Sequence, residues 1–415
     1  MGQMALKGIR VADLTQIWAG PYCTKLLADF GAEVVKVEAL QRPDSVRMGG
    51  GGGAVQNADR FWEKSPLFLS FNVNKFDITL DLTKPEAREH FKSLVMVSDV
   101  VIENFSVSVM ENLGLSYRIL KKLKPDIVMV SMPAFGSGGP YAEYRAMGAS
   151  MEPMAGISHI TGYPGGPPMR SGINYGDPIA GLNGAFAVLA ALNHRQSTGQ
   201  GQHIELSSTE ALACLIPEAI MDYGMNHRER GRMGNRHEWM APHGVYRCSG
   251  KDRWIAIAVA NDDEWQKLRK AMGDPAWARE DKYGDPVSRF LNQEELEKHL
   301  ETWTSQRDAH EVMHTLQAAG VAAGVVCSTK DLVENEHLKA RKFFTSITQP
   351  AAGAHTYRDM AWRMSGTPGA IQRPTPMLGE HNAAVLQQLL GVEAQELKRM
   401  EEQNIIGTKP LVAKG

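Results

Sequence analysis

Within the first 131 residues, short aliphatic runs alternate with stretches of helical periodicity, and this alternation restricts the fold more than any other feature of the chain. Residues 9–14 (IRVADL), 33–38 (EVVKVE), 99–103 (DVVIE) and 126–131 (DIVMVS) each read as a short buried strand. After the first, Gly20 and Pro21 open an amphipathic stretch that runs to Phe30. Proline suits a first helical turn, where its missing N–H is no loss, and Gly31 supplies the stop. A second helix is expected over 85–97. Strands this short and apolar, separated by helices, require crossovers and cover on both faces. The pattern predicts an α/β fold with a parallel, doubly wound sheet.

At 415 residues the chain exceeds what one hydrophobic core usually serves, so two domains are expected. We read 1–224 as the N-terminal part of a large domain, 225–330 as a small domain, and 331–415 as a segment that returns to the large one. The basic, polar stretch 224–234 suits a linker, 244–259 is rich in β-formers, and helices are expected from about 263 to 319. Residues 331–415 carry helical patterns. Residues 134–176, dense in Gly, Pro, Met and Ser, read as loops. Asp177 and Pro178 then begin a strongly apolar helix that must be buried on most sides. TGQGQ at 198–202 reads as a turn into a strand at 203–206. The five glycines at 49–53 form either a floppy surface excursion or a loop that folds over ligand.

A net charge of -2 gives no electrostatic reason to expect nucleic acid or an anionic membrane as partner, so an anionic ligand must be held by local groups. No stretch approaches the roughly 18 apolar residues of a membrane span. The start of the chain lacks the pattern of a signal peptide. Cys23, Cys214, Cys248 and Cys327 are scattered without CxxC spacing, which argues against a disulfide framework or structural zinc and suits a cytoplasmic setting.

Three motifs compete for the chemistry. His310-Glu311-Val312-Met313-His314 matches HExxH, in which two imidazoles on one helix face hold zinc. The stripe Ala309, Val312, Met313, Leu316 leaves both histidines at its edge, where a solvated face would put them, so no metal is expected. The opening strand-turn-helix resembles a dinucleotide-binding unit, but TQIWAGPY has one glycine instead of GxGxxG. Asp177 lies between the glycine-bearing loop SGINYG and a helix start. A carboxylate there is either a cap or a nucleophile beside free backbone N–H groups.

Taken in order, VADLTQIWAGPYCTKLLADFGAEVVKVE, NKFDITLDLTKPEAREHF, DVVIENF, SMPAFGSGGPY, RSGINYGDPIAGLNGAFAVLAALNHRQSTGQGQHIEL, GVAAGVV and PMLGEHN resemble the class III coenzyme A transferases. These are the formyl-CoA and carnitine-CoA transferase type, and their superfamily includes α-methylacyl-CoA racemase. The resemblance covers nearly the whole chain. It implies a large Rossmann-like domain built from both chain ends, a smaller α+β domain, and an interlocked dimer. It implies CoA transfer from an acyl-CoA donor to a carboxylic acid through aspartyl anhydride and aspartyl-CoA thioester intermediates at Asp177. CoA contacts would fall on Ile17, Trp18, Ala19, Leu80, Thr83, Asn104, Phe105, Ser106 and Arg145. A mobile substrate loop would run from Gly234, Asn235, Arg236 and His237 to Gly244. No cofactor is bound permanently, since the CoA thioester is itself substrate. The expected partner is a second copy, or a homologous subunit in a heteromer.

Several positions depart from the formyl-CoA transferase pattern. Trp18 stands for a glutamine, Ala39 and Asn112 stand for CoA-contacting arginines, and Gly148 replaces a glutamate near the nucleophile. NRHEWMAP occupies the place of a GGGGQ-type lid. Formate and oxalate are disfavoured as substrates. Lys36, Arg42 and Arg47 are either substitutes for the missing arginines or surface charges. Trp18, Met151, Trp239 and Met240 hint at an apolar pocket, against the plainer reading of core packing. Two alternatives remain: racemisation beside the thioester, and a catalytically silent CoA-binding subunit. The racemases carry a histidine before an aspartate, whereas Met147-Gly148-Ala149-Ser150 has none and His159 lies farther on.

Overall fold

The structure is a computed structural model that describes residues 4–49 and 59–411. The expected glycine loop therefore lies, beyond Gly49, outside the described residues. The chain divides into two compact units. One comprises Met1–Ile157, Arg170–Asn226 and Ala340–Gly415, and the other comprises Ser158–Met169 and His227–Lys339.

The first unit is built on six parallel strands: β1 (Arg10–Asp13), β2 (Glu33–Glu38), β3 (Phe76–Thr79), β4 (Val100–Glu103), β5 (Val128–Ser131) and β6 (His203–Glu205). Their order is β3-β2-β1-β4-β5-β6. Alternation along each strand feeds two cores. Ala12 and Val35 join a cluster with Phe91 and Leu94 of the helix Pro85–Met96, and with Leu386 and Met400 from the C-terminal segment. Val11 and Val34 face the opposite cluster, under the helices Ala19–Asp29 and Gly176–Thr198. These two helices pack closely because Gly181 lies against the Ala19 carbonyl and the Tyr22 ring, where an added Cβ would come within 2.7 and 3.0 Å.

The second unit carries an antiparallel sheet of β7 (His243–Arg247), β8 (Trp254–Ala258) and β9 (Ala322–Val325). Trp265, Tyr283, Leu300 and Leu316 fill its core. His310, Glu311 and His314 are exposed on the helix Ala309–Ala318, whose Val312 and Leu316 face inward.

Residues 331–415 carry helices as anticipated, Ala394–Glu402 among them, and in addition a hairpin, β10 (Phe344–Gln349) with β11 (Gly353–Arg358). Residues 134–176 are mostly irregular, with a short helix at Gly148–Met154. One expectation needs correction. The apolar helix from Gly176 is buried along Ala180, Gly184, Val188 and Ala191, yet its Leu182, Phe186 and Leu189 are exposed, Phe186 by 74%. Among the described residues, no helix is long and apolar enough to cross a membrane.

Lys36 and Arg47 are not surface charges. Both are wholly buried. Arg47 binds Glu38 (2.8 Å), Glu63 (2.6 Å) and Asp77 (3.1 Å), while Lys36 binds Asp44 (3.2 Å) and the Thr15 carbonyl (2.6 Å). The same carboxylates accept from the C-terminal segment: Leu378 N–H donates to Glu63 (3.0 Å) and Gly379 N–H to Asp77 (2.6 Å). Thr79 N–H donates to Asn382 Oδ1 (2.8 Å). Arg42 is exposed.

Candidate active site

In an open parallel sheet, ligands bind at the carboxyl ends of the strands, where the order reverses direction. Here the reversal falls between β1 and β4, so the segments leaving those strands flank one crevice. Gln16–Ala19 follows β1 and Asn104 follows β4. Asn104 clamps the first segment from the side, accepting from Gln16 N–H and donating to the Gln16 carbonyl, each at 2.8 Å. From below, Asp44 accepts the Ile17 N–H at 3.1 and 3.2 Å. Ile17 needs that support: its φ of +71° is left-handed, a region that β-branched residues avoid. The strained turn aims the Ala19 N–H, at the start of the Ala19–Asp29 helix, into the crevice.

Asp177 lies in its path. The Ala19 N–H approaches the Asp177 carboxyl and favours its charged form. Asp177 is the second residue of its own helix, whose N-cap is Tyr175, so it is not the cap residue. Its carboxylate sits at the N-terminus of a neighbouring helix, a placement that favours negative charge. Burial nevertheless outweighs that single N–H and raises the Asp177 pKa to about 6. The cavity beside it, about 430 Å³, is walled by Trp18, Leu67, Met132, Met147 and Met151, and none of its lining residues is cationic.

Gly148 explains one departure noted in the sequence. A Cβ there would lie 2.6 Å from Asp177 Oδ2 and 2.4 Å from Asn174 Cβ. No glutamate fits, because Asn174 already occupies the space. The loop that presents Asn174 and Asp177 is held by a residue that sequence reading passed over. Glu152, fully buried, accepts from Tyr175 N–H (2.7 Å), Ser171 Oγ (2.7 Å) and Ser171 N–H (3.2 Å). A lone acid in MEPM gave no signal, and only the fold brings it under SGINYG. Asp44 escaped notice for the same reason.

The structure thus gathers Ile17, Trp18, Ala19, Asn104 and Asp177 around one cavity. Leu80, Thr83, Phe105, Ser106 and Arg145 are not among its lining residues. Leu80 is in the core, and Phe105 packs against that same core while its N–H donates to Glu103 (2.8 Å). Thr83 bonds Asp81 (2.6 Å), and Ser106 and Arg145 are exposed. Trp239 is also exposed, whereas Met151 lines the cavity. In the second unit, Gly234 N–H donates to the Gly162 carbonyl (2.8 Å), and Arg236 makes a two-pronged pair with Glu297 (2.9 and 2.8 Å). His243 Nδ1 lies 2.7 Å from the Asn235 carbonyl oxygen, and His237 meets the Trp239 ring edge-on.

A family model described as CoA-transferase family III matches residues 6–382. The chain is 33% identical over 401 residues to a succinyl-CoA–D-citramalate CoA-transferase of Chloroflexus aurantiacus, covering 97% of this chain and 98% of that protein. It is 34% identical over 405 residues to the alpha subunit of a succinyl-CoA–L-malate CoA-transferase of Chloroflexus aurantiacus, covering 97% and 93%. A solved CAIB/BAIF family protein from Brucella suis superposes with a TM-score of 0.84 at 30% identity, covering 93% of this chain and all of that one. With a family model spanning most of its length and relatives matched nearly end to end, the chain belongs to CoA-transferase family III.

Proposed function

We propose that this enzyme moves coenzyme A from an acyl-CoA to a free carboxylic acid with Asp177 as nucleophile. The Asp177 carboxylate attacks the thioester carbonyl, and the C–S bond breaks, leaving an aspartyl mixed anhydride and CoA thiolate. The thiolate then adds to the aspartyl carbon and expels the donor acid as its carboxylate, leaving an aspartyl-CoA thioester. The acceptor carboxylate runs the sequence in reverse. The observation that carries this reading is the isolation of Asp177: a half-buried carboxylate, poorly compensated, facing an apolar cavity at the switch point of the sheet. Desolvation makes a carboxylate more reactive, and an apolar wall keeps water from the anhydride.

Ile17, Trp18, Ala19 and Asn104 would hold the thioester end of CoA. Thr83, Phe105, Ser106 and Arg145, beyond the carboxyl ends of β3, β4 and β5, would track the rest, whereas Leu80, buried in the core, would not. Gly234, Asn235, Arg236 and His237 would form a loop that handles substrate. Succinyl-CoA is our first candidate donor, because the named relatives use it. The exposed Leu182, Phe186 and Leu189 support a second copy as the cover of that helix face. A heteromer is the other assembly, favoured by the relative that is an alpha subunit.

The test is chemical. Enzyme mixed with succinyl-CoA and then hydroxylamine is expected to carry one hydroxamate, mapped by mass spectrometry to Asp177. Asp177→Asn should remain folded while losing at least about 10³-fold in exchange rate, since an amide is no nucleophile. A label at another residue, or an Asn variant with its rate intact, rejects the assignment. A racemase would exchange the proton next to the thioester without a covalent adduct, and His159, the next histidine along the chain from that stretch, is not among the cavity-lining residues.

A further inference from the structure

We propose that Asn174 is a side-chain oxyanion donor for the aspartyl carbonyl at Asp177, and that Arg170 is the positioning residue that turns its amide to that task. This rests on Asp177 as nucleophile. Two oxygens need stabilising along the route, and the second is Asp177's own. When CoA thiolate adds to the anhydride at aspartyl Cγ, a C–S bond forms and the carbonyl pair moves onto the carboxyl oxygen. Collapse of that oxyanion breaks the bond from Cγ to the bridging oxygen and releases the donor acid as its carboxylate. The Ala19 N–H reaches this carboxyl, but a single donor leaves the tetrahedral centre half served.

Asn174 is near it. The point where a Gly148 Cβ would be is 2.6 Å from Asp177 Oδ2 and 2.7 Å from Asn174 Cγ, so carboxyl and amide both border that point. Both line the same cavity. The orientation of an amide is usually ambiguous, but here it is fixed by chemistry. Arg170 Nη2 lies 2.5 Å from the Asn174 side chain, and a guanidinium has donors only, so the atom facing it must be Oδ1. That leaves Nδ2 as the opposite arm, and among the described residues no acceptor is bonded to it. An asparagine with its oxygen engaged and its N–H₂ free, next to a carboxyl that turns oxyanionic, is a donor awaiting charge. Gly148, by lacking a side chain, is what admits it.

Three variants test this by single-turnover and steady-state exchange with succinyl-CoA. Asn174→Ala is expected to lower kcat by about 10²–10³-fold, in line with the loss of one oxyanion donor, while KM changes less than threefold. Because only later steps are starved of a donor, its Asp177 hydroxamate should still form. Asn174→Asp keeps the shape and the Arg170 contact, so it is expected to fold even if the alanine variant does not. Its loss should be at least as large, because an acceptor replaces the donor. Arg170→Ala should slow exchange about tenfold by freeing the amide, and should add nothing in the Asn174→Ala background. An Asn174→Asp or Asn174→Ala enzyme within threefold of the wild-type rate overturns the inference. So does an Arg170→Ala effect that persists in full without Asn174. Wild-type enzyme that yields no Asp177 hydroxamate would instead reject the underlying reading of Asp177, which separates the two failures.

Discussion

Two groups of carboxylates in the first unit live under opposite conditions. Glu38, Glu63 and Asp77 are out of water around Arg47, yet each has a charged or N–H partner. Asp177 is only half-buried, and among the described residues one N–H is its support. Burial pushes up every one of these acids, but at Glu38 the Arg47 guanidinium wins and holds the pKa at about 2. Asp77 is raised well above the usual range by burial and by the neighbouring Glu38 carboxylate. What marks a carboxylate for chemistry is therefore a shortage of partners, and depth alone does not.

The largest effect is expected at Arg47. Arg47→Met leaves three buried acids without their cation, and we expect a loss of about 3–5 kcal/mol in urea unfolding. A loss below about 1 kcal/mol would mean that the network is not what holds this edge of the sheet.

Titration sharpens it on the other side. Only ionised Asp177 attacks, so kcat/KM for acyl-CoA should fall about tenfold per unit as pH drops below about 6. A profile flat to pH 4 would show Asp177 to be as well compensated as Glu38.

The smallest effect concerns stability. Asp177 binds its proton more tightly folded than unfolded, because its pKa rises from 3.8 to about 6. Its contribution to stability is thus present at low pH and lost as pH climbs through about 4 to 6. Asp177→Asn removes that penalty and keeps an oxygen for the Ala19 N–H. The variant should be more stable than wild type by about 1–2 kcal/mol at pH 7.5, discounted for solvent contact, with no difference near pH 3. Thermal unfolding at both pH values decides it.

The same contrast explains what could be read from the sequence. β1, β2, β4 and β5 announced themselves because aliphatic runs show wherever both faces of a strand are covered. FDIT did not, since Asp77 interrupts its apolar run with a polar group whose partners, Arg47 and the Gly379 N–H, lie far away in the chain. Lys36 and Arg47 looked like solvent-facing cations because their partners come from Thr15, Asp44, Glu63 and Asp77. Asp177 was legible through its loop and helix start, and through the order of motifs around it. Its neighbours Glu152 and Asn174 were not, since their roles depend on which loops meet, and no local spacing encodes that. The exposed face of the Gly176–Thr198 helix misled for a simpler reason: apolar content states that a face is covered without stating by what.

The bonds from Leu378, Gly379 and Asn382 to Glu63, Asp77 and Thr79 also set an order of assembly during synthesis. As the ribosome delivers the chain from its N-terminus, β2 and β3 emerge long before residues 378–382 exist. Until those arrive, a cluster of acids and one strand edge must wait solvated or in the keeping of a chaperone. The sheet is the first thing written and among the last things finished.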